Sequence, residues 1–224
     1  MESLINWHSR PRPERVTLEG RFCRLEPLDH ARHGDQLFSA SMAPGVEERF
    51  RFLADSPQDR LDFEDWLVRA ARSDDPMFYA VIDLSSQRCE GRQSLMRITP
   101  EHGVIEVGHI LWGPAIARTR VATEALFLFA RYVFEKLGYR RFEWKCDARN
   151  EPSMRAARRF GFMYEGTFRQ HMVVKEQNRD TAWFAILDVE WPSIRKAFEQ
   201  WLEPTNFDLQ GKQKARLEDL RRLP

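Results

Sequence analysis

The stretch between Val104 and Gly138 constrains this chain most. A β-type run over 104–111 enters the loop Trp112-Gly-Pro-Ala-Ile-Ala-Arg-Thr-Arg120, and the loop opens into a long apolar-striped segment. Over 123–137, Leu126, Phe129, Ala130, Val133, Phe134 and Leu137 recur at helical spacing, which predicts a helix with one face in the core. Gly138 follows as its C-terminal stop. A strand passed through a tight loop to a core helix demands a layered fold, with helices packed on a sheet.

The rest of the chain alternates around this unit. After a polar arm marked by Pro11 and Pro13, residues 16–27 read as a strand or hairpin about a Glu19-Gly20 turn. Residues 28–41 and 57–72 read as helices, the second packing through Leu61, Trp66, Leu67 and Ala70. The runs 78–83, 92–98 and 104–111 form a meander, broken by turns at 85–91 and 100–103. Beyond Gly138, 141–146 reads as a strand, and Asn150 with Pro152 opens a helix that closes at Phe160-Gly161. Three further strands are expected over 162–169, 170–176 and 181–190, then a helix over Trp191–Leu202 and, past Pro204, a candidate last helix over 206–222. The order predicts an α/β (α+β) sheet with mixed strand directions.

Composition narrows the partners. With 35 Lys and Arg against 34 Asp and Glu, the net charge of +1 gives no global attraction to nucleic acid or to an anionic membrane. No apolar run approaches the ~18–20 residues that span a bilayer. The opening MESLINWHSRPRPERV lacks the hydrophobic stretch of a secretory signal, so a cytoplasmic address is expected. Cys23, Cys89 and Cys146 lack CxxC spacing, and the six histidines include no HExxH, so neither a disulfide framework nor a metal is expected.

An anion site must therefore be local, and the loop before the long helix is the candidate. A helix N-terminus presents free N–H groups and partial positive charge, to which Arg118 and Arg120 add cations, so the start of this helix suits a pyrophosphate. The same residues would equally decorate a solvated helix start.

Three stretches carry a family resemblance: WGPAIARTRVATEA from Trp112, LGYRRFEWKCDARNEPSMRAARRFGF from Leu137, and EGTFRQ with NRDTAWF further on. Together they resemble the RimJ/RimL-type branch of the GNAT N-acetyltransferases, over about residues 21–192. The resemblance implies a mixed, mostly antiparallel sheet, flanked by helices on both faces and splayed in the middle between the strands 104–111 and 141–146. Acyl-CoA would be wedged in the gap. It implies pairing of the pantetheine arm with Ile110, Leu111 and Trp112, and a pyrophosphate held by the loop residues Arg118, Thr119, Arg120, Val121, Ala122 and Thr123. The family's Gln/Arg-x-x-Gly-x-Gly/Ala loop falls here on Ala117, Arg120 and Ala122, so the central glycine is absent. Either Arg120 keeps an ordinary helical φ and contributes its side chain, or the cradle is shallower. Asn150 and Ser153 match the family's N-x-x-S/A, whose side chains contact pantetheine or sulfur, although an Asn N-cap with a first-turn serine would look the same.

An acceptor amine must lose a proton before it attacks a thioester. Glu106 aligns with the strand glutamate that is general base in histone-acetylating members, and a carboxylate set among Val104, Ile105, Val107 and Ile110 would be desolvated. Strand alternation also allows Glu106 to face solvent, and it places His109 on the opposite parity unless the strand bulges. The tyrosine that many members use as acid falls on Ala157, which leaves Ser153 to hydrogen-bond the departing sulfur. Arg169, Arg179, Asp180 and Trp183 would line the acceptor side, where an arginine could pair with a substrate carboxylate or an acidic acyl chain; for Asp180 a turn clamp is the simpler reading. Trp7, Phe50, Phe52 and Trp66 could roof the pocket or sit in the core.

These readings converge on an acyl-CoA-dependent N-acyltransferase, passing acetyl from acetyl-CoA to a protein N-terminus or a small-molecule amine by direct attack, without metal. The alternatives are a succinyl-CoA donor or a non-catalytic CoA-binding protein. Expected boundaries are an arm over 1–15, the acyltransferase domain over 16–192 and a C-terminal helical extension over 193–224. The aromatics of that extension pack either on their own domain or on a second copy, so a homodimer is one hypothesis.

Overall fold

The computed structural model describes residues 4–221. Its elements are β1 (Leu18–Glu19), β2 (Cys23–Pro27), α1 (His30–Met42), α2 (Val46–Phe50), α3 (Arg60–Arg72), β3 (Met77–Asp83), β4 (Arg88–Thr99) and β5 (Val104–Trp112). Then come α4 (Arg120–Arg131), β6 (Arg141–Asp147), α5 (Glu151–Phe160), β7 (Met163–Val174), β8 (Gln177–Leu187), α6 (Trp191–Leu202) and α7 (Leu217–Leu220). The eight strands make one sheet in the order β1-β2-β3-β4-β5-β6-β8-β7. Every neighbouring pair is antiparallel except β5 with β6.

Alternation along the strands divides the core in two. Leu25, Tyr79, Val81, Leu95, Ile105, Val107, Phe142, Trp144 and Phe184 face α4 and α6, whereas Phe78, Ala80 and Ile82 face α1 and α3 through Leu37, Phe63 and Leu67. α4 starts at Arg120, three residues before the predicted start, and every residue from Ala122 to Ala130 is buried. Its last turn widens into a π-helical turn over Tyr132–Lys136, and the chain leaves through Gly138 at φ 69°.

Several expectations are corrected. The predicted strands 162–169 and 170–176 are one strand, β7, interrupted by a bulge at which Gln170 takes φ 51°. The turn expected over 85–91 is shorter, because β4 begins at Arg88. The five-residue α2 was not anticipated. Residues 206–221 are mostly irregular, with a Phe207↔Gln213 bridge and the single turn α7, and the end of the predicted last helix, Arg222, lies outside the described residues. The aromatics of the C-terminal segment pack on their own chain: Phe198 stacks on Phe127 and Phe160, and Trp191 on Phe134.

Glu124 ties the β1–β2 turn to α4. From the buried part of α4 its carboxylate accepts from the backbone N–H groups of Arg21, Phe22 and Cys23 at 2.9, 2.6 and 2.8 Å. The β1–β2 turn has no room for a side chain there, since a Cβ on Gly20 would come within 2.5 Å of that carboxylate.

Candidate active site

β5 and β6 pair only from Val104↔Arg141 to Val107↔Trp144, although both strands continue. On its other edge β5 slips register against β4 between Ser94↔Gly108 and Arg92↔Leu111, three steps against two. Within that bulge His109 takes φ 49°, a left-handed conformation that costs a non-glycine residue about 1–2 kcal/mol. A bulge bends its strand, and here β5 swings away from β6 and leaves a gap in the middle of the sheet.

Glu106 lies just before the gap. Ile105 and Val107 point into the α4 core, so Glu106 points to the face that carries α1 and α3, where it is only 2% exposed. The apolar surroundings expected for it are reduced, because Ile105, Val107 and Ile110 turn the other way. Arg97 Nη1 lies 2.8 Å from both carboxylate oxygens and Lys145 Nζ 3.0 Å from Oε2. Arg97 reaches the site through a second bulge: it takes φ 47° opposite β5, with its own N–H and that of Ile98 held by the Asp75 carboxylate at 2.8 and 3.0 Å. Lys145 also bonds Glu143 at 2.7 Å and lies 3.8 Å above the Trp183 ring. Neither cation was singled out from the sequence. The alternation Arg141-Phe-Glu-Trp-Lys-Cys-Asp147 does place Lys145 with Glu143 on a charged strand face.

The β5 bulge lets His109 share that face after all. Its Nδ1 lies 3.3 Å from Asp55 Oδ1, and Asp55 also pairs with Arg92, a guanidinium buried under Trp66 that donates to the His109 carbonyl at 3.2 Å. Burial opposes the Asp55 charge, but Arg92 and His109 outweigh it and hold the carboxyl down to about 2.

Beyond the gap, the start of α4 offers a cradle. Thr119 caps the helix, its hydroxyl accepting from Val121 N–H at 3.2 Å and donating to Ile116 O at 2.6 Å. The N–H groups of Arg118, Arg120 and Ala122 have no acceptor among the described residues. Arg118 takes φ 64° and is exposed. Arg120 begins the helix with an ordinary negative φ, but its side chain turns from the loop to lie 4.7 Å over both Phe22 and Phe207. Thr123 Oγ1 donates to Thr119 O at 3.1 Å and accepts from Arg159 at 3.2 Å, which brings to this helix start a cation not singled out from the sequence.

Asn150 caps α5 by accepting from Ser153 N–H at 3.1 Å, and the Ser153 hydroxyl accepts from the Trp144 indole at 2.9 Å. Trp144 faces the α4 side, so Ser153 and Glu106 sit on opposite faces of the sheet. Ile110, Leu111 and Trp112 continue β5 past its last pair with β6; the Trp112 indole donates to Gln93 at 3.3 Å.

Of the remaining residues, Asp180 accepts from Gln170 N–H and from Asn178, and with Arg169 these line an open depression of about 680 Å³ on the β7–β8 hairpin. Trp183 and Arg179 lie on the face of Glu106. Trp66 belongs to the α1/α3 layer and Phe50 is buried in α2, its carbonyl accepting from Lys175 at 2.7 Å, whereas Trp7 packs on the β4–β5 turn through Glu101 and Gly103, away from any acceptor roof. Among the described residues no group of three or more His, Cys, Asp or Glu could hold a metal, and no helix is long and apolar enough to cross a membrane.

Comparison with known proteins agrees with this geometry. Residues 24–163 match the model of the acetyltransferase (GNAT) domain. A GCN5-related N-acetyltransferase from Brucella melitensis is 57% identical, with 97% of this chain and 99% of that one covered at a TM-score of 0.96. A protein from Chromobacterium violaceum described as a probable acetyltransferase of the GNAT family is 41% identical, over 86% of this chain and 96% of that one, at 0.79. The ribosomal-protein-S5-alanine acetyltransferase of Vibrio fischeri, 15% identical over 79% and 98% of the two chains at 0.59, shares the fold. No curated protein gives a significant match. The chain belongs to the GNAT acetyltransferase family, and it is an N-acetyltransferase.

Proposed function

We propose that this enzyme passes an acetyl group from acetyl-CoA to the primary amine of a protein N-terminus or a small molecule, with both substrates bound at once across the gap in the sheet. The observation that carries this reading is the conjunction of the unpaired β5 edge beyond Val107 with unclaimed N–H groups at the start of α4. Ile110, Leu111 and Trp112 offer that edge to the pantetheine amides. The N–H groups of Arg118, Arg120 and Ala122 take the pyrophosphate, with Arg118 and Arg159 as nearby cations and Thr119, Val121 and Thr123 fixing the turn.

The amine enters from the Glu106 face. It forms the C–N bond and gives its proton to Glu106 as the C–S bond breaks. Arg97 and Lys145 hold the carboxylate in place; Oε1, which meets only Arg97, retains lone-pair capacity for that proton. From the other face Asn150 sets the first turn of α5. Ser153, already accepting from Trp144, turns its hydroxyl hydrogen from the Cys146 sulfur to the departing thiolate. The RimJ/RimL-like motifs favour a protein N-terminus as acceptor, in the cytoplasm, with residues 16–192 as the transferring domain and 193–224 as a C-terminal extension.

Calorimetric titration with acetyl-CoA, succinyl-CoA and free CoA, followed by thiol release with a panel of amines, tests the reading. Acetyl-CoA binding with amine-dependent thiol release is expected. Binding without release would leave a CoA-binding protein, and binding of no CoA species would overturn the proposal.

A further inference from the structure

Arg179 is a half-buried guanidinium in the acceptor cleft with nothing to hold. It makes no hydrogen bond and no ion pair among the described residues, and its Nε is fully buried without a partner. The two carboxylates nearest in the chain and the fold are committed elsewhere: Asp147 is clamped by Arg149 through two guanidinium bonds and a backbone N–H, and Asp180 by Gln170 and Asn178. Arg179 shares its face of β8 with Thr181 and Trp183, whose register partners on β6 are Asp147 and Lys145. The Trp183 indole N–H is a second buried donor without an acceptor.

The charge around it is mixed: Asp147 and Glu106 draw on Arg179, and Arg97 opposes it. Arg97, Lys145 and Arg179 all act on His171, which burial and these three cations together push below its ordinary range, while Glu106 alone pulls the other way. Desolvation likewise lowers Arg179 itself. α1 and α3 pack on β3, β4 and β5, so the β6–β8 half of this face is outside the helical layer. A buried N–H without an acceptor is costly, because it gives up water for nothing.

We infer that Arg179 is the recognition element for a carboxylate that enters this cleft with the substrates, so that one of the two reacting molecules is itself an acid. This rests on the acyltransfer reading. The carboxylate belongs either to the acceptor, an amino-acid-like amine, or to the distal end of a dicarboxylic acyl donor.

The test follows the Arg179 Nε–H resonance in the full-length, nitrogen-labelled protein, with Arg179→Gln identifying the signal and Arg179→Lys as the conservative variant. Arg179 makes no hydrogen bond or ion pair among the described residues, so the Gln variant is expected to keep the wild-type melting temperature. Free succinate should move the resonance in the wild type. If the acid is the donor, succinyl-CoA binds about tenfold tighter than acetyl-CoA, a difference that Arg179→Gln removes and Arg179→Lys partly keeps. If it is the acceptor, the two thioesters bind alike, and β-alanine but not β-alaninamide shifts the resonance of the CoA-loaded protein. No shift with succinate, β-alanine or succinyl-CoA overturns the inference. A succinate shift without binding of any CoA would instead keep the carboxylate site and sink the acyltransfer reading.

Discussion

Glu106 and Glu143 face each other as register partners across the β5–β6 ladder, both buried, and Lys145 lies between them at 3.0 and 2.7 Å. Two carboxylates on one sheet face repel, and in a dry site they repel more strongly. The ammonium makes the arrangement tolerable, with Arg97 and Arg141 supporting it from the outer sides. The candidate base thus belongs to a chain of five alternating charges, and its position is set by neighbours rather than by its own strand alone.

Lys145→Met removes the central cation. Because it leaves two buried acids opposed, the loss should be about 3 kcal/mol in urea unfolding, near that of other broken buried ion pairs. A change below about 1 kcal/mol would mean that Arg97 and Arg141 suffice, since that is the range of a surface pair.

Glu106→Gln keeps the shape of the side chain and removes its basicity. Turnover should fall by about 10²–10⁴-fold, the usual contribution of a positioned base, while acetyl-CoA affinity is unchanged. Steady-state kinetics beside calorimetry separate the two effects. Unchanged turnover would hand the proton to another group on this face, with the Asp55-oriented His109 first in line.

Much of this arrangement was readable from residues alone. The strand-loop-helix unit about Trp112, the cap at Asn150 and the stop at Gly161 follow local rules of period and capping, and they fix the β5–β6 gap once the parallel pairing is known. The cations of the site were not readable, because bulges and distance deliver them. Arg97 reaches Glu106 only through a left-handed residue steadied by Asp75, and a bulge is a single extra residue without a compositional mark. The five-residue α2 is too short to show a period, and the turn of Arg120 toward Phe22 and Phe207 depends on segments roughly 90 residues away on either side.

Glu124 was read as part of a motif, but its work is structural. Glu124→Ala leaves three backbone N–H groups of the β1–β2 turn without their acceptor, so a loss of about 3 kcal/mol in urea unfolding is expected, the scale of hydrogen bonds to a charged group. Acetyl-CoA affinity, measured well below the unfolding midpoint, should change little. A near-silent variant would show that water satisfies the turn.

Acid should reveal Asp55. Its folded-state value of about 2 lies below the ~3.9 of an unfolded aspartate, so the pair with Arg92 stabilises the fold fully above that unfolded value and is lost as pH falls toward 2. The contribution at neutral pH is on the order of 2–3 kcal/mol by the same linkage. Urea unfolding at pH 6 and at pH 3 should show Asp55→Asn less stable than wild type, with the gap narrowing at the lower pH. A gap that is independent of pH would assign the loss to packing beneath Trp66.

Arg120→Gly restores the glycine that the family's loop usually carries, and it should nevertheless weaken the protein. The Arg120 guanidinium sits over Phe22 and Phe207 and so pins the β1–β2 turn and the C-terminal segment to the start of α4. Two such contacts and the flexibility of glycine together amount to about 2 kcal/mol. The N–H groups of Arg118, Arg120 and Ala122 are already free with arginine in place, and the backbone at Arg120 is not left-handed, so the glycine has no strain to relieve. Melting temperature should drop by several degrees while acetyl-CoA affinity stays level or falls. A gain in affinity would mean instead that the arginine side chain narrows the approach to the cradle, and that its anchoring of the C-terminal segment comes at the expense of donor binding.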